Sequence, residues 1–330
     1  MEKYNPDIIR ETIRNALFGQ AVGDAMGVPV EFLSREKVRE INPIEMMGCD
    51  TPKSFHSLFG DTIPAGTWSD DTAMTIAAID AIISDGGDIH WNHVMQRFAA
   101  WASKGKYTPD DNCFDIGAAC ARAIGFFENG IPAINCGGSD INDNGNGSLM
   151  RIFPFTLYCI FNRLDIFTTA EVINAASGIT HDHAISKMGC LFFTLYMAAL
   201  LDGQSPTEAW GTARKHDYKR WYGQECVNAY SQLLNAKFKD ATDTEIKSSG
   251  YVVDTLNIVM YSMIHGHDYE GSILLAINMG YDTDTSAAIT GALAGAYYGF
   301  ESIPDRWLAK LRGKEMLDFY ADNYARVFNA

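Results

Sequence analysis

Residues 278–299, NMGYDTDTSAAITGALAGAYYG, restrict the fold more than any other stretch of the chain. Asp282 and Asp284 stand one residue apart, and the hydroxyl of Thr285 follows at once. The chain then runs through Ala287, Ala288, Gly291, Ala292, Ala294, Gly295 and Ala296, broken by Ile289 and Leu293. A helix of small residues can be approached closely by its neighbours, which predicts a buried element. An aspartate at a helix start accepts hydrogen bonds from free N–H groups and suits the positive end of the dipole. Capping accounts for one aspartate, not for a second with a threonine. Two carboxylates and a hydroxyl at a buried helix mouth form a hard oxygen site suited to Mg²⁺, Mn²⁺ or Ca²⁺.

A second mouth of the same kind lies over two hundred residues earlier, in GTWSDDTAMTIAAIDAII. Ser69 is a good N-cap, Asp70 and Asp71 occupy the first turn, and Thr72 follows before small and apolar residues lead to Ile83. If the two mouths face each other, they bring four carboxylates and two hydroxyls together. That much charge in a dry place is costly without cations. A two-metal cluster, with ions roughly 3.5–4 Å apart, relieves it and is a hydrolytic device. A third acid, Asp115, precedes Gly117 and a helix through Ala118, Ala123 and Ile124; capping is a sufficient reading for it alone.

Other stretches offer surroundings for such a centre. A helix from Asp7 runs into Gly19, Gly23 and Gly27, whose four-residue spacing leaves one face as bare backbone, and Pro29 ends it. Glu31, between Val30 and Phe32, is then either exposed or aimed into a site. Gly137, Gly138, Gly145 and Gly147 with Asn142, Asn144 and Asn146 make a turn-rich loop before a helix expected from Leu149. Such a loop can turn N–H groups toward a phosphate. No G-x-x-x-x-G-K-[ST] loop or strand-first G-x-G-x-x-G unit is present, which disfavours the common nucleotide folds. His181 and His183 frame Asp182 before an apolar helix, and Tyr251 opens another, where its ring either packs in the core or stacks on a planar ligand. His90 and His93 read as surface or packing residues, since no third soft ligand is near. Residues 211–222 read as a solvated surface element, and residues 304–330 as an amphipathic helix pair.

The net charge of −15, from 26 basic and 41 acidic residues, argues against nucleic acid or an anionic membrane as partner. Seven scattered cysteines without a C-x-x-C pair argue against a disulfide framework or zinc site and fit a cytoplasmic location. The charged N-terminal stretch lacks a signal-peptide core, and no apolar run of about 18 residues is expected to cross a membrane. With helical periodicity throughout, and no linker or alternating strand pattern, the expectation is one all-α domain over residues 1–330.

Taken in order, GQAVGDAMGVPVEF, GTWSDDTAM, CFDIG, NGNGSLMR, ITHDH, SSGYVVDTL and GYDTDTSAAITGALAGAYYG resemble the ADP-ribosylglycohydrolase family. The resemblance implies a compact all-α fold with two Mg²⁺ or Mn²⁺ ions in a cleft. It carries the metal ligands onto Ser69, Asp70, Asp71, Asp282, Asp284 and Thr285. Glu31 matches a glutamate beside the metals, and Asp115 an acid acting on the ribose; either is the expected proton carrier. Asn146, Gly147, His181 and Tyr251 match positions that hold ADP-ribose, and Gly117 is expected to line the same cleft. The implied reaction is hydrolysis of the glycosidic bond between ADP-ribose and an acceptor, with arginine of a modified protein as the first choice. The rival reading is a non-catalytic ADP-ribose binder on the same fold. Ser69 stands where Thr is frequent, and Tyr281 where a second Gly is frequent, adding a ring at the rim of the acid site.

Overall fold

A computed structural model describes residues 4–49 and 62–328. The described residues contain sixteen α-helices and no β-strand. The first half comprises α1 (Pro6–Gly27), α2 (Arg35–Ile41), α3 (Asp70–Ser84), α4 (Trp91–Lys104), α5 (Ala118–Glu128), α6 (Phe153–Phe161), α7 (Ile166–Gly178) and α8 (Ala184–Leu201). The second comprises α9 (Pro206–Ala213), α10 (Tyr218–Ala229), α11 (Ser231–Leu234), α12 (Val252–His265), α13 (Tyr269–Ile277), α14 (Thr283–Tyr298), α15 (Asp305–Lys310) and α16 (Lys314–Val327). Extended pairing is confined to two isolated bridges, Gly138 with His181 and Gly145 with Tyr251. The all-α expectation holds.

Helices α1 and α14 form the most extensive helix–helix interface among the described residues, and sequence explains why. A Cβ on Gly23 would lie 2.1 Å from the Ala287 carbonyl oxygen, and one on Gly19 2.2 Å from that of Gly291. In return, a Cβ on Gly291 would lie 2.1 Å from the Gly19 oxygen. The two backbones therefore touch directly, which only glycine permits at these positions. Around this pair one main apolar cluster draws residues from both ends of the chain, including Trp68, Trp101 and Trp307, all fully buried. Burying side chains of this size is the main favourable term in folding.

Three local expectations change. The turn after the glycine-rich loop persists through Arg151, and α6 begins at Phe153 with Pro154 in its first turn. Residues 211–222 lie at the surface but are not solvated throughout, because Ala213 and Tyr218 are buried and the Tyr218 hydroxyl donates to the Ala213 carbonyl at 3.0 Å. Helix α8 is 18 residues long and apolar enough to meet a membrane-span criterion, contrary to the expectation that no such run exists; 72% of it is buried inside the fold, as in a core helix. The loop with a short helix expected over residues 34–59 has its helix in α2, and its residues 50–59 lie outside the described residues.

Candidate active site

Three chain segments meet at the end of the α1–α14 pair. A single 3-10 turn, Val28–Val30, carries α1 into Glu31, which is buried. Thr283 at the start of α14 donates to the Gly27 carbonyl at 2.8 Å, so that the end of α1 and the mouth of α14 are pinned together. A Cβ on Gly27 would sit 2.4 Å from the Asp284 Cα, so this contact too is backbone to backbone. The mouth of α3 comes in beside them: Gln20 of α1 donates from Nε2 to the carbonyls of Asp71 (3.0 Å) and Met150 (2.8 Å).

Ser69 occupies the N-cap position of α3, but its side chain makes no capping bond. Asp24, a residue the sequence reading did not single out, performs that role from α1. Its Oδ1 accepts from the Ser69 N–H (2.9 Å) and hydroxyl (2.9 Å), and its Oδ2 from the Thr72 N–H (3.0 Å) and hydroxyl (2.7 Å). A carboxylate offers about four lone-pair sites, so these bonds saturate it. Asp24 is thus a buried brace that sets the mouth of α3. Its signal in the sequence was its place beside Gly23, on a helix whose glycine face predicts close packing.

The two acidic mouths do converge. Asp24, Asp71 and Asp284 each place a carboxylate oxygen within 4.8 Å of the others, and so do Glu31, Asp282 and Asp284. Asp284 belongs to both groups and joins them. Ser69 Oγ lies 3.0 Å from Asp71 Oδ2, and the Thr285 hydroxyl donates to the same oxygen at 3.4 Å. Asn146 braces Asp282, donating from Nδ2 to its Oδ2 at 2.6 Å and to Thr255 Oγ1 at 2.9 Å.

Electrostatics identifies what this cluster lacks. Burial first, then repulsion from neighbouring carboxylates, pushes Asp70, Asp71 and Asp284 well above the ordinary aspartate range, and Glu31 well above the glutamate range. Burial raises Asp282 as well, against hydrogen bonds from Asn146 and Thr285. Burial also raises Asp24 and Asp115, each to about 6. The charged neighbours acting most strongly on Asp70, Asp71 and Asp284 are other carboxylates. Asp71 Oδ1 is buried without a hydrogen-bond partner. An all-oxygen donor set of crowded carboxylates with an orphaned buried oxygen fits hard divalent cations.

A cleft of about 310 Å³ opens over the cluster, lined by Glu31, Asp70, Asp115, Asp282 and Thr285. Gly117, Asn146, Gly147 and His181 line it as well. Asp115 stands before the N-terminus of α5 without capping it, because the N-cap is Gly117 and makes no side-chain bond. The first N–H groups of α5 are thus left for the cleft, where Ala118 and Ala119 also lie. Ser69, Asp71 and Asp284 sit in the layer behind Asp70 and Thr285 and are not among the described lining residues. Tyr251 is not among them either; it is the half-buried N-cap of α12, and its neighbour Gly250 reaches the cleft.

His181 is buried, and burial with the nearby Arg151 charge lowers it to about 3, so its ring is neutral. Arg151 donates to Thr180 Oγ1 at 2.6 Å, and that oxygen lies 2.9 Å from His181 Nδ1. Thr180 thus engages Nδ1 and leaves Nε2 beside Gly145 and Gly147. Sequence alone named His181 but not the Arg151–Thr180 chain that orients it. His183 caps α8 through Nδ1 instead of facing the cleft, and His93 pairs with Asp85 at 2.7 Å on the surface.

The family model for ADP-ribosylglycohydrolase matches residues 5–330. The chain is 30% identical over 311 residues to ADP-ribosylarginine hydrolase Tri1 of Serratia proteamaculans, covering 94% of this chain and 77% of that protein. It is 26% identical over 307 residues to the ADP-ribosyl-[dinitrogen reductase] glycohydrolase of Rhodospirillum rubrum, covering 92% and 91%. Among solved structures, an ADP-ribosylglycohydrolase-related protein complex superposes with a TM-score of 0.75 at 26% identity, covering 97% of this chain and 99% of that one. With the family pattern matched over nearly its whole length, the same all-helical fold and an acid-lined cleft, this chain belongs to the ADP-ribosylglycohydrolase family and is a glycosyl hydrolase.

Proposed function

We propose that the protein hydrolyses the C1″–N bond joining ADP-ribose to an arginine side chain of a modified protein, with two Mg²⁺ or Mn²⁺ ions. The observation that supports this best is the convergence of the α3 and α14 mouths on Asp284, under a cleft that also holds Glu31 and Asp115. The similarity to an ADP-ribosylarginine hydrolase supports the choice of acceptor.

Asp71 and Asp284, with Ser69, Asp70 and Thr285, would hold one ion; Glu31, Asp282 and Asp284 would hold the other. When bound, such ions polarise the oxygens of a substrate and water and offset the carboxylate charge. The chain's own groups do the rest. The free N–H groups at the start of α5 and the loop at Asn146–Gly147 suit a diphosphate. His181 presents a neutral ring with Nε2 beside that loop. Tyr251 would support the adenosine end from the α12 side.

In the reaction the C1″–N bond breaks, a water oxygen bonds to C1″, one water proton passes to a carboxylate, and the guanidine nitrogen receives a proton. Positive charge building on the ribose is stabilised by the surrounding carboxylates. Asp115, raised to about 6 and lining the cleft, suits the proton transfers, and Glu31 lines the same cleft. The test follows release of free ADP-ribose from protein modified on arginine and, in parallel, on serine. Metal-dependent release from the arginine conjugate, blocked by chelator and by Asp284→Ala, is expected. Release from serine alone would overturn the acceptor assignment. Release from neither, with ADP-ribose still bound, would overturn the reaction.

A further inference from the structure

Two aromatic residues flank the acid cluster along the chain. Phe32 follows Glu31 and lines the cleft, while Tyr281 immediately precedes Asp282, does not itself line the cleft and is joined to Phe32 through the backbone. They are 51% and 48% exposed, so neither is held in the core. Both have left-handed backbones, with φ of 57° and 59°. Glycine adopts that region freely, whereas bulky residues do so rarely and with strain.

The backbones around them are held tightly. Phe32 N–H donates to the Tyr281 carbonyl at 2.6 Å, and Tyr281 N–H donates to the Leu33 carbonyl at 2.7 Å. The Arg35 guanidinium spans the same junction, reaching the carbonyls of Met279 (3.3 Å), Asp243 (2.7 Å) and Ile246 (2.8 Å). Stability alone favours glycine at position 281: it would relieve the backbone and remove exposed apolar surface. Strain of this kind gathers at ligand clamps. The chemistry beside the ring narrows the ligand. Glu31, Asp70, Asp115 and Asp282 line the adjoining cleft, so the mouth attracts cations. Aromatic faces bind a planar guanidinium by stacking and cation–π attraction.

We propose that Tyr281, with Phe32 across the same pair of hydrogen bonds, forms an aromatic rim that receives the guanidinium of the acceptor arginine, and that Tyr281 is a specificity-determining residue. This rests on the arginine reading above. The rim transfers no proton; it orients the leaving group.

The test compares wild type with Tyr281→Gly, Tyr281→Leu and Tyr281→Phe. Tyr281→Gly and Tyr281→Leu should raise KM for the arginine conjugate about tenfold, the size of a partly desolvated cation–π contact. The expected loss in kcat is smaller, inhibition by ADP-ribose stays as in wild type, and Tyr281→Phe retains the wild-type KM. An unchanged KM in Tyr281→Gly, or inhibition by ADP-ribose weakened in parallel, would overturn the rim. A second measurement separates this from failure of the arginine reading. Agmatine binding to the Mg²⁺- and ADP-ribose-loaded protein, followed by saturation-transfer NMR, needs no turnover. Binding weakened about tenfold by Tyr281→Gly supports the rim; no binding to wild type, or equal binding to both, overturns it.

Discussion

Gly23→Ala adds one methyl group at the most crowded point of the α1–α14 interface. The new Cβ would lie 2.1 Å from the Ala287 oxygen and 2.7 Å from its carbonyl carbon, both backbone atoms with no rotamer to yield. Ordinary C···O contacts begin near ~3.3 Å, so the helices must part by roughly 1 Å at this level. Overpacking of this kind costs about 1–3 kcal/mol, offset by about 1 kcal/mol of better helix propensity. Unfolding entropy for 330 residues is about 0.7 kcal/mol per degree, so a net loss of ~1 kcal/mol lowers Tm by only about 1–2 °C. Activity should fall much further. Gly23 adjoins Asp24, which braces Ser69 and Thr72, and Ala287 lies one turn beyond Asp284. A displacement of about 1 Å in a reacting constellation costs on the order of 100-fold in rate. The assay pairs thermal melts with steady-state release of ADP-ribose. Gly125→Ala on α5 is the control, because a Cβ there meets nothing within 4 Å; it should hold or raise Tm and keep the wild-type rate. Wild-type stability and rate in Gly23→Ala would refute the claim that backbone contact between these helices sets the site.

Asp24→Asn replaces two of four accepting positions with an amide that faces the N–H groups it formerly satisfied; metal affinity should drop about 10–100-fold by titration calorimetry, with the fold retained by circular dichroism. Adding Mg²⁺ or Mn²⁺ at about a hundred times its Kd should stabilise the protein by about 2.7 kcal/mol, read as a rise in Tm that Asp284→Ala abolishes. That increment should grow with pH. Asp24 and Asp115 have folded-state pKa values near 6, above the ordinary 3.8, so their stability is complete below about 4 and is lost as pH rises through 6. The metal-free protein therefore carries its largest repulsion at pH 8, and the metal-induced gain in Tm should be larger there than at pH 5. Buried neutral His181 destabilises both forms equally at low pH and cancels in the difference. Equal increments at both pH values would contradict this account.

Much of the site was legible because its parts are local. Asp70–Asp71 and Asp282–Asp284 each announce a charged mouth within four residues, and the small residues behind them announce burial. The gaps came where function depends on a partner distant in sequence. Asp24 reads as one acid on an amphipathic helix until α3 is docked against it, and only then do its four bonds to Ser69 and Thr72 exist. Ser69 has the composition of a cap, yet the cap is supplied from α1. His181 was recognisable by type, but its neutral state follows from burial and the nearby Arg151, and its orientation from Thr180.

Helical periodicity, the small residues of α14 and the two acidic helix mouths are readable along the chain, and with them close helix approach and, should the mouths meet, a shared counter-charge. Those properties follow from periodicity, residue size and the cost of burying charge. Helix docking adds that Asp284 links the two carboxylate groups, that Asp24 is a brace, and that Phe32 and Tyr281 are paired through their backbones. Distances between groups more than two hundred residues apart depend on how helices dock, and no local pattern encodes them.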